Sequence, residues 1–72
     1  MKIKIKSWSR LEEEYGLNQY GNINLMYPFL KEMEEYIPKD RIIEVEKRTL
    51  EGYIWTADKF KKYIITDEMI ED

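Results

Sequence analysis

Met1-Lys2-Ile3-Lys4-Ile5-Lys6-Ser7-Trp8-Ser9-Arg10-Leu11-Glu12 changes its period half-way along. From Met1 to Lys6 apolar and charged residues alternate strictly, which puts Ile3 and Ile5 on one face of a strand and Lys2, Lys4 and Lys6 on the other. From Trp8 onward the apolar residues Trp8, Leu11 and Tyr15 follow helical spacing, so one stripe faces a core. Ser9 with Glu12 fits a capping box, Ser7 is a second candidate N-cap, and Gly16 supplies the stop. Glu12, Glu13 and Glu14 read as a solvated helix face. A strand followed at once by a helix points to an α+β chain. The three lysines read as solvated or as protection of a sheet edge, with a ligand-facing stripe as the alternative.

Working outward, Asn18-Gln19-Tyr20-Gly21-Asn22 is a turn sequence. A second helix is predicted from Tyr27 or Pro28, with Phe29, Met33, Tyr36 and Ile37 on its apolar face and Pro38 at its end. Arg41-Ile42-Ile43-Glu44-Val45-Glu46 reads as a strand with Ile43 and Val45 inward. Tyr53-Ile54-Trp55-Thr56 and Tyr63-Ile64-Ile65-Thr66 read as two more, joined through Ala57-Asp58-Lys59. Thr66 to Ile70 resembles a capped final helical turn folded over the sheet end. The expected core is Ile3, Ile5, Leu11, Phe29, Met33, Ile43, Val45 and Trp55. The expected fold is a single domain over 1–72: a small bent antiparallel sheet of about four strands, an SH3-like partial barrel, with two short helices inserted after the first strand.

Composition narrows function. There is no cysteine and no histidine, which removes thiol and imidazole nucleophiles, the usual zinc clusters and any side chain with an unperturbed pKa near neutrality. The glycines at 16, 21 and 52 form neither G-x-x-x-x-G-K-S/T nor G-x-G-x-x-G. A chain of 72 residues also has little room for both a core and a substrate cleft. The chain is therefore read as no enzyme, with no cofactor and no metal. No apolar run follows the first lysines and none approaches a membrane span, so no signal peptide or membrane partner is expected. The chain is placed in a cytoplasm, in agreement with its lack of cysteine.

Two surfaces compete as binding sites. Tyr20, Tyr27 and Tyr36 exceed what a small core uses, and with Glu34 and Glu35 they make an aromatic patch with an acidic rim suited to a protein partner. Lys2, Lys4 and Lys6 converge with Lys59, Lys61 and Lys62 if the first and last strands pair, giving a platform for single-stranded nucleic acid. The formal net charge of -3 weighs against the second. A purely oligomerising structural role is a third reading of the surplus aromatics, and a homo-oligomer fits it.

Lys4-Ile5-Lys6-Ser7-Trp8, Glu14-Tyr15-Gly16-Leu17, Gly21-Asn22-Ile23, Phe29 with Lys31-Glu32-Met33-Glu34, and Ile65-Thr66-Asp67-Glu68-Met69-Ile70-Glu71 together resemble a group of small phage and prophage proteins of Gram-positive bacteria. Leu30 departs from the Thr or Ser that precedes the second helix in that group. The resemblance brings no site residues with it. It implies a phage accessory protein that binds and disables a host protein, such as a defence or takeover target, in the host cytoplasm.

Overall fold

A computed structural model describes residues 1–71; Asp72, the last residue of the expected domain, lies outside the described residues. The opening alternation becomes β1 (Lys2–Lys4), paired antiparallel with β2 (Ile42–Glu44), Ile3 opposite Ile43. Both isoleucines are buried, and Lys2 and Lys4 face solvent. The pairing runs on at both ends, through Val45 N–H to Met1 C=O and Ile5 N–H to Arg41 C=O. On the opposite side, Lys6 N–H donates to Met69 C=O and Glu71 N–H to Lys4 C=O. That second neighbour meets β1 only at Lys4, so along Lys2 the strand remains a sheet edge, in keeping with its lysines.

β3 (Tyr53–Asp58) and β4 (Lys61–Ile65) form a second antiparallel pair, so the strands make two two-stranded sheets. The turn between them is Lys59-Phe60, one position beyond the predicted one, and the register shifts between Thr56 and Asp58. Trp55 sits opposite Tyr63, ring centroids 5.7 Å apart. The two sheets are joined through the backbone: Glu46 N–H donates to Ile54 C=O, and Ile54 N–H to Lys47 C=O. Gly52, in the connecting turn, passes so close to β4 that a Cβ there would lie 2.3 Å from the Ile65 carbonyl oxygen.

Helix α1 (Trp8–Tyr15) starts from Ser7, not Ser9: the Ser7 hydroxyl accepts the Arg10 N–H. Gly16, at φ 74°, ends it. Leu11 is fully buried, with Trp8 and Tyr15 packed beside it. The second helix is shorter than predicted and of the 3-10 type, Lys31–Tyr36. Tyr27 and Pro28 do not begin it, because the next residue is committed elsewhere. Ile23 N–H donates to Phe29 C=O, holding Phe29 in an extended bridge with its ring in the core. Leu30 has no hydroxyl to cap the helix; instead the Asn22 Oδ1 accepts the Lys31 N–H at 2.8 Å.

Every predicted core residue is buried, joined by Ile23, Ile65 and Met69. The last turn, Asp67–Met69, carries Met69 into that core. Thr66 occupies its N-cap position without capping: the buried hydroxyl bonds nothing.

Candidate functional site

The extended run before the 3-10 helix shapes the surface. Pro28 has a fixed φ and disfavours helix at Tyr27, while buried Phe29 anchors the backbone. Its neighbours Pro28 and Leu30 are left half-buried and Tyr27 exposed. Together with Met33 these residues make one wall of a trough of about 320 Å³, whose other wall is Lys62, Tyr63 and Ile64 of β4. That volume is at the low end of the roughly 300–1,000 Å³ of small-molecule pockets.

Tyr63 of the trough wall also belongs to a polar cluster. The Tyr63 hydroxyl donates to Glu32 at 2.5 Å, and Lys61 Nζ lies 3.6 Å from the same carboxylate. The Tyr63 phenol is pushed up to about 12, first by burial and then by the Glu32 carboxylate. Glu32 is held below the usual carboxylate range, chiefly by the Tyr63 hydroxyl, with Lys61 assisting. Near neutral pH this cluster is a fixed phenol donor on a fixed carboxylate, and it fastens β4 to the 3-10 helix.

The predicted site residues are dispersed. Tyr27 lies in the trough wall. Tyr20, 78% exposed, sits in the 18–22 turn, held by Asn18 Oδ1 accepting the Tyr20 and Asn22 N–H groups. Ile23 bridges both Leu17 and Phe29, so the turns carrying Tyr20 and Tyr27 leave opposite ends of it. Tyr36 is half-buried against the core. Glu35 is exposed, but Glu34 is held by Arg41 through two bonds of 2.9 and 2.7 Å.

The lysine groups also stay apart. β1 lies between β2 and the 69–71 segment, and β4 pairs with β3, so the first and last strands do not meet. Lys6 is largely covered and bonded to Glu14 at 2.7 Å, whereas Lys2 and Lys4 stand on the outer face of β1. Lys59 lies in the β3–β4 turn, 5.6 Å from the ring of 87% exposed Phe60. Lys62 alone of these lines the trough.

Sequence reasoning missed the trough itself. Leu30, Tyr63 and Ile64 carry no motif, and only the folded chain brings them together. Among the described residues no group of acidic side chains is placed to hold a metal ion, and no helix is long and apolar enough to cross a membrane. Neither a protein-family model, nor a curated protein, nor a solved structure matches the chain.

Proposed function

We propose that this chain is a phage-type protein-binding module that acts by covering a surface of a host protein in the host cytoplasm, without chemistry of its own. The observation that carries this reading is the trough between Tyr27-Pro28-Leu30 and Lys62-Tyr63-Ile64: open, apolar, and lined by Lys62 and by Tyr63, whose hydroxyl is fixed on Glu32. Aromatic and methionine side chains at an apolar centre with charges at the rim match the anatomy of a protein interface. The resemblance to small phage proteins supports the host as the source of the partner. The hydrogen bonds of Glu46 and Lys47 to Ile54 support a bent, SH3-like closure of the two sheets into one partial barrel.

One observation favours a second reading. The β3–β4 turn presents Phe60 beside Lys59, with Lys61 and Lys62 following, a small basic and aromatic tip suited to stacking on single-stranded nucleic acid.

Affinity capture from a Gram-positive bacterial lysate, with and without nuclease, separates the two. A nuclease-resistant protein partner lost in Tyr27→Ala supports the module. Partner loss on nuclease treatment, with steep salt dependence and loss in Phe60→Ala, supports nucleic acid and overturns it.

A further inference from the structure

In an antiparallel ladder each residue turns both backbone groups either toward its partner strand or away from it, and successive residues alternate. Ile54 uses its N–H on the Lys47 carbonyl at 3.0 Å and its C=O on the Glu46 N–H at 2.8 Å, so both point away from β4. Its partner across the ladder is Ile64, and Thr56 likewise stands opposite Lys62. The backbone groups of Ile64 and Lys62 therefore point away from β3, toward the trough that both residues line. Among the described residues no other segment bonds them there. β4 is thus a sheet edge with donors and acceptors unpaired.

The side chains around that edge say what fits it. Tyr63 points to the core side, against buried Trp55, and its hydroxyl reaches Glu32 on the 3-10 helix. Lys62 and Ile64, one position either side, point to the opposite face. A strand added along β4 would turn one side chain to the Tyr63 side, into the apolar trough, and its immediate neighbours toward Lys62 and Ile64. Lys61 is offset by Glu32, but Lys62 has no carboxylate partner among the described residues. A second copy pairing β4 to β4 would concentrate the lysines of both copies along a ladder with no carboxylate on either strand, which like-charge repulsion opposes.

We propose that β4 recruits an extended peptide segment of a protein partner as an added strand, with a large apolar residue inserted between Tyr27, Leu30, Met33 and Tyr63 and an adjacent acidic residue against Lys62. Main-chain bonding supplies the affinity and the trough with Lys62 the selectivity, as in other cases of strand addition. This rests on the protein-binding reading of the trough and names the form of the partner.

The probe is a capped peptide of Thr and Ser around a central Leu-Glu pair, titrated into isotope-labelled full chain. The expected result is slowed amide exchange at Lys62 and Ile64. N-methylation of the peptide amides facing β4 should weaken binding about tenfold or more, while methylation of the alternate amides should do less. Lys62→Glu should shift the preference to a Leu-Lys peptide. Absence of binding up to about 1 mM, the weak limit of recognition, overturns the proposal. So does binding that ignores N-methylation and leaves both amides unprotected. If strand addition fails while Tyr27→Ala still abolishes capture of the protein partner, only the added strand is lost; if Tyr27→Ala has no effect either, the protein-binding reading of the trough falls with it.

Discussion

Arg41 and Glu34 are joined by two parallel bonds, Nη1 to Oε1 at 2.9 Å and Nη2 to Oε2 at 2.7 Å. The same guanidinium donates through Nε to the Ile5 carbonyl and through Nη2 to the Lys6 carbonyl. One side chain therefore ties the 3-10 helix to the end of β1, from a residue at φ 61°. Both partners are more than two-thirds covered, so solvent screening is partial.

Arg41→Ala should cost about 2–3 kcal/mol in urea denaturation, because charge-assisted bonds and two strand-end carbonyls lose their donor together. Arg41→Lys should recover little of it, since an ammonium cannot span both carboxylate oxygens and both carbonyls. The double-mutant cycle with Glu34→Ala should show coupling. Additive losses would mean that the pair is incidental.

Ile23→Ala should cost about 2–5 kcal/mol, the range of a core residue, although it lies between two turns. It is fully buried between Leu17 and Phe29. Met26→Ser, at a side chain 92% exposed, should stay within about 0.5 kcal/mol of wild type. Equal effects would contradict the burial of the 17–29 segment.

Gly52→Ala and Gly21→Ala, at φ 153° and 78°, should show what close approach adds to backbone preference. At Gly21, φ 78° with open space around it, the cost should be about 1 kcal/mol. At Gly52 the new methyl meets the Ile65 carbonyl oxygen and the Thr66 Cα, both backbone, so the loss should be clearly larger. Comparing the two denaturation midpoints checks the order.

Thr66→Val should leave stability unchanged or raise it. The hydroxyl is buried, bonds nothing, and does not cap the turn that follows. A loss of about 1 kcal/mol or more in thermal or chemical unfolding would restore Thr66 as a true cap.

The Tyr63 phenol, raised to about 12 from an ordinary 10.0, gives a stability contribution present in full below pH about 10 and lost as pH rises toward 12. Absorbance titration should show one late-ionising tyrosine, absent in Tyr63→Phe and shifted down in Glu32→Gln. At the acid end the sign reverses. Glu32, Glu14, Glu44 and Asp67 are each held below their ordinary values by hydrogen-bonded partners, so stability present above about pH 4.5 falls as acid protonates them.

The strands and α1 are legible because their order is local: Ile3 and Ile5 alternate with lysines, Trp8 and Leu11 are a helical step apart, and Gly16 stops the helix, while its start stays open between Ser7 and Ser9 until the fold selects Ser7. The second helix was misread because Phe29 belongs to two patterns. Its spacing to Met33 is helical, yet its backbone bonds to Ile23, a pairing no periodicity announces. The trough inherits that illegibility. The sequence groups Tyr27 with Tyr20 and Tyr36 in an aromatic patch and Lys62 with the lysines, whereas the structure sets Tyr27 and Lys62 on the same surface feature. Glu34 illustrates the opposite case: an acidic residue that reads as rim is occupied by Arg41, and only the folded chain brings the two together.

The bridge between Ile5 and Ile70 joins positions near opposite ends of the sequence. A contact of such long range closes almost the whole chain into one loop, and its entropy is lost before any neighbouring bond rewards it. β1 is enclosed only when residues 69–71 dock against it. Until Met69 and Glu71 have followed, the Lys6 N–H and the Lys4 carbonyl have no strand-side partners and the core lacks a side chain. Enclosure of β1 and completion of the core therefore depend on one and the same long-range docking step, that of residues 69–71.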